Sequence, residues 1–258
     1  MSAGRVPVLM YHRVGEAKTT WEARYAISAE RFAAHMLTLA RSGYRAVSID
    51  SLVEWMEGGA ALPDGAFVLT FDDGYRGVYE HALTVLEQMK WPFTVFLVSD
   101  LIGKKDFWSV EANPKGDTYP LLNSVDIRAM QLRGCSFHSH SRSHQKLPTL
   151  GDIALTDQIL GSRQALGERL GVELAYLAYP YGQFDERVIA ATKSAGYRAA
   201  FSTRSGFNQR NSDLFSIRRI DVYGTDTPAM LLRKIRLGTN DGSLKSLLNY
   251  YLRRIGLK

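Results

Sequence analysis

Short apolar segments that read as β-strands alternate with longer segments of helical periodicity along most of the 258-residue chain. Residues 6–11 and 67–71 combine β-branched or aromatic side chains with an absence of charge, as buried strands do. Residues 29–41 and 78–89 instead space their apolar side chains along one helical face. This alternation predicts a parallel α/β architecture with a single core, and no linker or internal repeat divides it.

The composition is that of an ordinary globular protein, with 45% hydrophobic and 22% charged residues. The formal net charge is +6, but the basic residues are dispersed and no nucleic-acid motif occurs, so we expect no nucleic-acid partner. Cys135 is the single cysteine, which excludes an intrachain disulfide. No apolar run is long enough for a signal peptide or a membrane span. This predicts a cytoplasmic protein, or an exported one if the chain is a trimmed piece.

Two adjacent carboxylates, Asp72 and Asp73, follow the strand predicted at 67–71, and Gly74 permits a sharp turn after them. Paired acids beside an apolar strand are costly unless a cation shares the site. A divalent metal would supply that charge and leave the other carboxylate free for proton transfer. The alternative is an Asp-Asp-Gly turn that caps the next helix.

Three histidines, His138, His140 and His144, lie within seven residues further along the chain. A helical turn would place His140 and His144 on one face, where two imidazole nitrogens and a carboxylate can bind a divalent ion. Asp73 or Asp72 would be the carboxylate, and zinc is the expected metal, with cobalt or nickel as alternatives. The carboxyl ends of parallel strands share one face, which favours a common site over a solvated histidine-rich loop. We expect His138 to be structural.

Three ordered segments carry a resemblance to a known family: Thr-Phe-Asp-Asp-Gly at 70–74, His-Ser-Arg-Ser-His at 140–144 and Tyr-Pro-Tyr-Gly at 179–182. They resemble the motifs of the polysaccharide deacetylase family, the NodB-like domain of carbohydrate esterase family four. The opening segment 7–12 is similar to that of the branch that contains bacterial poly-N-acetylglucosamine deacetylases. The resemblance spans residues 6–222.

The resemblance implies an irregular (β/α) barrel of the NodB-like type, a single domain over residues 1–230. It also implies a metal-dependent enzyme that removes N-acetyl groups from amino sugars, such as N-acetylglucosamine, in a polysaccharide or a lipid-linked glycan. The site residues that it implies are the metal ligands Asp73, His140 and His144, the general base Asp72 and the general acid His12.

The chain departs from the wider family in two places. Many members carry an arginine near the Tyr-Pro-Tyr-Gly motif that contacts the catalytic carboxylate, whereas residues 177–179 offer none. Arg219, ahead of Arg218, is the expected replacement. No histidine follows His144, so the late Leu-x-His motif that supplies the acid elsewhere is missing. His12 is then the imidazole candidate for the acid, its alternative role being that of a buried histidine bonded to a carbonyl.

Aromatic residues near these motifs are candidates for contact with a sugar. Trp108 lies in a long irregular excursion, residues 99–123, of a kind that is often functional. Trp108 and Tyr181 could stack on sugar rings, although core packing would explain both equally well. By the resemblance, the backbone N–H near Tyr181 would hold the oxyanion, with Pro180 in the same motif.

Residues 231–258 form a basic, amphipathic helical tail in our interpretation. Leu244, Leu248 and Ile255 belong to an apolar stripe at helical spacing, and basic residues such as Lys258 lie beside it or near its end. The stripe predicts a helix docked on the domain, or an interfacial helix drawn to anionic lipid at the inner face of a membrane.

Two other functions stay open on the sequence alone. One is a carbohydrate-binding domain that keeps the fold without turnover, and the other is a metal-dependent hydrolase of another amide or ester. The intact set Asp72, Asp73, His140 and His144 favours an enzyme with an N-acetylated glycan as its substrate.

Overall fold

In the computed structural model, which describes residues 4–112 and 117–254, the chain is built around a curled sheet of eight parallel strands. The strands of this sheet are β1 (Val8–Tyr11), β4 (Arg45–Ala46), β5 (Ala66–Phe71), β6 (Phe93–Leu97), β7 (Cys135–Ser139), β8 (Tyr176–Ala178), β9 (Ala199–Phe201) and β10 (Ile220–Asp221). Their spatial order is β10-β1-β5-β6-β7-β8-β9, with β4 beside the start of β5. A separate parallel pair consists of β2 (Arg13–Val14) and β3 (Ala26–Ile27).

Helices connect the strands, as a parallel sheet requires. They are α1 (Ala29–Arg41), α2 (Ile49–Met56), α3 (Leu83–Met89), α4 (Trp108–Ala112), α5 (Ser124–Gln131), α6 (Asp152–Thr156), α7 (Ser162–Leu170), α8 (Glu186–Ser194), α9 (Pro228–Leu237) and α10 (Leu244–Arg254). A π-helical turn, Val78–Ala82, leads directly into α3, and a second, Asp157–Gly161, joins α6 to α7. The sequence predicts helices at 78–89 and also at 152–170, and both exist, each with a wider turn inside it.

The segment 217–221 connects the two ends of the curled sheet. At its start, the Ile217 N–H donates to the Ala200 carbonyl at 3.0 Å, and the Ser202 N–H donates to the Ile217 carbonyl at 2.9 Å. At its end, β10 pairs with β1 in parallel, with Ile220 opposite Leu9. The same few residues thus contact both β9 and β1, so the sheet closes on itself. The prediction of an irregular (β/α) barrel is confirmed.

The two faces of the sheet bury different apolar clusters because side chains alternate along a strand. Leu9 and Leu69 point outward into the main core, where they meet the buried face of α1 around Phe32. Val8 and Val68, near the amino ends of their strands, belong to an inner cluster that includes the buried face of α2. Apolar side chains therefore fill the barrel near the amino ends of β1 and β5. Polar side chains occupy the inside near the carboxyl ends.

Helix α1 matches its predicted bounds because both of its ends are specified locally. The Ser28 hydroxyl accepts a hydrogen bond from the Arg31 N–H at 3.3 Å, as an N-cap does. Beyond the last turn, Gly43 takes a left-handed conformation with φ of 81°, which a glycine adopts without steric strain.

The sequence also predicts strands at 44–49 and 215–222, and both are wrong in extent. The strand predicted at 44–49 is reduced to β4, because the Ser48 hydroxyl accepts from the Ser51 N–H and starts α2 at Ile49. The strand predicted at 215–222 is reduced to β10, preceded by a 3-10 turn at Leu214–Ser216 in which the Asp213 carboxylate accepts from the Phe215 N–H. In both places a side-chain cap competes with strand pairing.

The C-terminal helices differ in how they meet the barrel. The predicted domain boundary at residue 230 falls within α9, whose Leu231 and Ile235 are buried in the main core. Helix α10 contacts α9 and leaves Leu244 and Leu248 with 69% and 60% of their surface exposed. The tail positions Ile255 and Lys258 lie outside the described residues. Within residues 4–112 and 117–254, none of the helices combines the length and the apolarity that crossing a bilayer requires.

Candidate active site

Asp73, His140 and His144 converge beyond the carboxyl ends of β5 and β7. Asp73 Oδ1 lies 3.3 Å from His140 Nε2 and 3.3 Å from His144 Nε2. All three side chains are buried, and their candidate ligand atoms lie within 4.8 Å of one another. The structure thus brings the Asp73 carboxylate to two imidazoles that lie 67 and 71 positions further along the sequence.

A left-handed turn directs Asp73 into the site. Asp73 itself has φ of 71°, and Gly74 follows with φ of 78°. A Cβ on Gly74 would lie 2.8 Å from the Leu97 Cδ2 atom, so a side chain here would collide with β6. Because non-glycine residues seldom adopt positive φ, this turn is held by its surroundings and not by local preference.

His140 and His144 do not meet through a helical turn, so that part of the prediction is wrong. Residues 140–146 are irregular, with φ of 66° at Ser141 and 58° at His144. The Ser141 hydroxyl accepts from the His144 N–H at 3.1 Å, and the Ser139 hydroxyl accepts from the Ser141 N–H at 3.1 Å. Serine hydroxyls therefore supply the acceptors that a helix would have supplied, and the chain turns tightly enough to bring both rings to Asp73.

The two imidazoles are oriented differently. His140 Nδ1 donates to the Ala178 carbonyl at 2.8 Å, which leaves the lone pair of Nε2 facing Asp73. The Nδ1 atom of His144 is buried and has no hydrogen-bond partner in the described part of the chain. Its ring lies between Trp108 and Tyr181, at centroid distances of 4.1 and 4.6 Å.

This donor set fits a divalent metal ion. Asp73 Oδ1 is buried without a hydrogen-bond partner among the described residues, although two imidazole nitrogens face it. Burial alone would raise the pKa of Asp73, but His144 and His140 hold it well below its ordinary value. An ionised carboxylate beside two imidazole nitrogens is a typical three-ligand zinc set. A cation would also satisfy the orphaned oxygen.

The neighbouring carboxylate, Asp72, is held apart from this set by Arg219. The Arg219 Nη1 and Nη2 atoms donate to Asp72 Oδ1 and Oδ2 at 2.6 and 2.7 Å. Arg219 Nε donates in turn to the Ser202 carbonyl at 2.9 Å, and both charged side chains are buried. Burial would raise the pKa of Asp72, but Arg219 and then His140 hold it below its ordinary value. Arg218 is exposed and donates to the Ser205 carbonyl instead.

A cavity of about 510 Å³ opens over these groups. Of the predicted site residues, it is lined by His12, Asp72, Asp73, Trp108, His140, His144 and Tyr181. His12 is half-buried, with its ring 5.3 Å from that of Tyr25. Tyr181 is 43% exposed and has φ of 57°, whereas Pro180 before it is buried and does not line the cavity.

Several residues that line the cavity were not predicted from the sequence. Trp21 and Tyr25 come from the loop after β2, which reads only as polar, and Lys146 follows the histidine segment. Asp221 lines the cavity from the end of β10. The rule that found Asp72, an acid at the carboxyl end of a buried strand, would have found Asp221 as well.

His138 lies outside the site, inside the barrel. Its ring packs 4.6 Å from that of Tyr176, and its Nδ1 atom is buried without a hydrogen-bond partner in the described chain. Burial lowers the pKa of His138 to about 4. It is therefore a neutral packing residue near pH 7.

Comparison with known proteins identifies the family of this chain. A profile of the polysaccharide deacetylase family matches residues 59–200, more than half of the chain. The poly-beta-1,6-N-acetyl-D-glucosamine N-deacetylase of Staphylococcus aureus is 21% identical over 197 residues, which cover 76% of this chain and 67% of that protein. The deacetylase PplD of Streptococcus pyogenes, solved in complex with acetate, superposes with a TM-score of 0.76 at 20% identity and covers 90% of this chain and 98% of its own. IcaB from Ammonifex degensii superposes with a TM-score of 0.72 at 26% identity, covering 85% and 92%. The chain belongs to the polysaccharide deacetylase family.

Proposed function

We propose that this protein is a metal-dependent hydrolase that removes N-acetyl groups from amino sugars of the N-acetylglucosamine type, in a polysaccharide or a lipid-linked glycan. One observation supports this more than any other. Asp73, His140 and His144 converge on one side of an open cavity, beside a second carboxylate, Asp72, that is bound by an arginine. Family membership and the poly-N-acetylglucosamine deacetylase relative support the same substrate class.

Asp73, His140 and His144 are the residues that would hold the metal, and zinc is the ion that suits two imidazoles and a carboxylate best. When bound, such an ion polarises an amide carbonyl and lowers the pKa of water. The chain's own contribution is to hold the ligands in place. His140 is fixed by its hydrogen bond to Ala178, and Asp73 by its left-handed turn.

Asp72 is the proposed general base. Arg219 keeps its carboxylate ionised near pH 7, so that it can accept the proton of the attacking water. The two parallel bonds also fix the plane of the carboxylate, since a guanidinium matches carboxylate geometry. A base that is positioned in this way needs no reorganisation during the reaction.

His12 is the proposed general acid. Cleavage of the amide C–N bond expels an amine, which needs a proton, and an imidazole is the natural donor near neutral pH. His12 lines the cavity from the end of β1, and Asp221 lines it from the adjacent β10. The backbone N–H of Tyr181 is the proposed donor to the oxyanion, and Pro180 sets the turn that presents it.

The walls of the cavity suit a sugar. Trp21, Tyr25 and Tyr181 provide aromatic surface, and the volume of about 510 Å³ is in the range of ligand pockets. Lys146 lies 5.6 Å from the centre of the Tyr181 ring at the rim. Trp108 lines the same cavity, but only 8% of its surface is exposed and its ring lies against His144.

We also propose a peripheral contact between α10 and anionic lipid, at the inner face of a membrane. Leu244 and Leu248 are exposed one helical turn apart, with the exposed Lys245 beside them. Residues 244–258 contain four basic residues and no acidic one. An exposed apolar pair in a basic helix suits the interface of an anionic bilayer. Such a contact would place the enzyme near a lipid-linked glycan.

The experiment that tests the main proposal is acetate release from a panel of N-acetylated glycans. The purified chain is treated with EDTA, and zinc, cobalt or nickel is then added back. We expect acetate release that EDTA abolishes and that a metal restores. Metal binding without acetate release from any glycan or simple amide would instead favour a carbohydrate-binding domain. Release from esters alone would favour a different hydrolase.

A further inference from the structure

The two imidazoles of the proposed metal site are fixed by different forces. His140 is tied by a hydrogen bond to the Ala178 carbonyl. His144 has no such tie, since its buried Nδ1 lacks a hydrogen-bond partner within the described chain. The nearest ring to His144 is that of Trp108, 4.1 Å away and inclined by 31°. The orientation of the His144 ring therefore depends on aromatic packing, and Trp108 is one of the aromatic residues that pack against it.

Trp108 cannot hold its own position. It begins α4, which has only five residues and lies within the long excursion after β6. A helix of this length has little stability of its own in water. Trp108 is nevertheless almost fully buried, in a small cluster with Tyr75, Val98 and Leu121. Something outside α4 must anchor the segment.

The anchor is Asp106, two residues before Trp108. Its Oδ2 atom accepts the Tyr75 hydroxyl at 2.8 Å and also the Ser109 hydroxyl, and its Oδ1 atom accepts the Tyr119 N–H at 2.6 Å. These donors belong to the segment after β5, to α4 and to the returning end of the excursion. Asp106 thus ties three separate parts of the chain together around Trp108.

The burial of Asp106 is costly, which argues that its position matters. Only 2% of its surface is exposed, and no lysine, arginine or histidine of the described residues forms an ion pair with it. Within the described residues, its carboxylate accepts hydrogen bonds from Tyr75, Ser109 and Tyr119. Removing these donors would leave a buried carboxylate without hydrogen bonds, which costs free energy of folding. The bonds therefore hold the three donor groups in place around Asp106.

We propose that Asp106 is a positioning residue for the metal ligand His144, acting through Trp108. This inference rests on the proposed function, because it takes Asp73, His140 and His144 as the metal ligands. Loss of Asp106 frees α4, Trp108 withdraws from the His144 ring, and the imidazole samples orientations in which Nε2 no longer faces Asp73. The metal is then bound more weakly, although no ligand has been changed.

The test measures metal affinity and not only activity. Co²⁺ binding to the full-length chain is followed by its d–d absorption, and Zn²⁺ affinity is obtained by competition. Asp106→Ala, Trp108→Ala and the double variant form a cycle. We expect each single variant to bind metal about 10- to 100-fold more weakly, as is typical when a supporting residue is removed. The double variant should bind metal only slightly more weakly than either single variant, because both changes remove the packing of Trp108 against His144.

Asp126→Ala is the matched control. Asp126 is also a buried aspartate, and it accepts from the Asn123 N–H and pairs with Arg76, but within the described chain it forms no hydrogen bond or ion pair with Trp108 or His144. We expect it to lower the melting temperature while leaving the Co²⁺ spectrum and the metal affinity unchanged. Asp106→Asn, which keeps an acceptor for the Tyr119 N–H, should show an intermediate affinity and serves if Asp106→Ala does not fold.

The outcomes separate this inference from the proposed function. Folded Asp106 variants with the metal affinity of the wild type would overturn the inference, and so would losses that simply add in the double variant. A wild-type chain that binds Co²⁺ no better than His144→Ala does would overturn the proposed metal site itself.

Discussion

Arg219 binds Asp72 through two parallel hydrogen bonds of 2.6 and 2.7 Å, and both side chains are buried inside the barrel. The two residues are 147 positions apart in the chain. A buried carboxylate next to a proposed metal site must be kept ionised without being consumed as a ligand. The guanidinium does both, because it supplies the charge and occupies both oxygens on one side.

Arg219→Lys should reduce turnover about 100-fold, in line with the effect of a small misplacement of a catalytic group. A lysine keeps the charge but cannot form two parallel bonds, so the Asp72 carboxylate loses its fixed plane. Arg218→Lys is the control, because Arg218 is exposed and contacts Ser205. Acetate release under saturating substrate checks both variants. Equal turnover in Arg219→Lys and the wild type would contradict the positioning of Asp72 by Arg219.

Asp72→Asn should abolish acetate release and still bind one metal ion, since Asp72 lies outside the Asp73–His140–His144 set. His140→Ala should lose both turnover and metal. Metal content by mass spectrometry and acetate release are measured on the same samples. Removing one partner of a buried ion pair costs roughly 3–5 kcal/mol, so a thermal melt is used to check that each variant is folded. A fully active Asp72→Asn would refute its role as the base.

His12→Ala should lose amide hydrolysis but retain hydrolysis of an activated aryl acetate. An amine leaves only after it is protonated, whereas an activated phenolate leaves without a proton. The ratio of the two rates, measured with an N-acetylated glycan oligomer and a nitrophenyl acetate, isolates the acid step from the rest of the site. If both rates fell by the same factor, His12 would be a binding or structural residue instead.

The stability of the fold should decline below pH 6.5, partly through His35. The Tyr11 hydroxyl lies 3.1 Å from His35 Nδ1 and His35 Nε2 donates to the Asp226 carbonyl at 2.8 Å, so each nitrogen of the neutral ring has a hydrogen-bond partner. Burial lowers the pKa of His35 from 6.5 to about 4. The unfolded chain therefore binds the proton more tightly. The contribution of His35 is complete above pH 6.5 and disappears as the pH falls towards 4, by about 1.4 kcal/mol per unit and about 3 kcal/mol in all.

His35→Gln checks this, because a glutamine amide can accept from Tyr11 and donate to Asp226. The free energy of unfolding is measured by urea titration between pH 4 and 6.5. We expect its slope with pH to decrease by about one proton. His81→Gln, at an exposed position, is the control and should leave the slope unchanged.

The variant Leu244→Ser/Leu248→Ser should lose flotation with anionic vesicles. Each serine removes apolar surface from the exposed side of α10, on which insertion into the interface depends. Vesicles of phosphatidylglycerol and phosphatidylcholine are compared with phosphatidylcholine alone, at low and high salt. Leu132→Ser, at an exposed leucine on a different part of the surface, is the control. Flotation of the double variant at the level of the wild type would remove the membrane contact.

The identity of the groups that meet at the site was accessible from the sequence because strand ends impose their own geometry. Asp72 and Asp73 follow an uncharged strand, and His140 follows another, so a parallel sheet must bring them to one edge. The route by which His144 reaches Asp73 was not accessible. It depends on positive φ values at Ser141 and His144. Surrounding contacts impose these values, and the conformational preferences of serine and histidine do not predict them.

The sequence ranks Arg219 only slightly ahead of Arg218 as the partner of Asp72. Arg218 and Arg219 are adjacent in sequence, and only the alternation along segment 217–221 decides which of them points into the barrel. The sequence predicts a strand over 215–222, but in the structure only the two residues of β10 pair with β1. The alternation of side chains in a regular strand is therefore an unreliable guide to this segment. Asp106 gave no signal at all, since a lone aspartate in an irregular excursion is typical of exposed loops.

Segment 217–221 joins β9 to β1 and at the same time carries Arg219 to Asp72. The counter-charge of Asp72 therefore comes from a segment that follows β1 to β9 in the chain, and the same segment completes the wall of the barrel. A variant without segment 217–221 would leave the Asp72 carboxylate without its arginine and β1 without its partner β10. Closure of the sheet and the charge balance of the buried acid therefore depend on the same five residues and are lost or kept together.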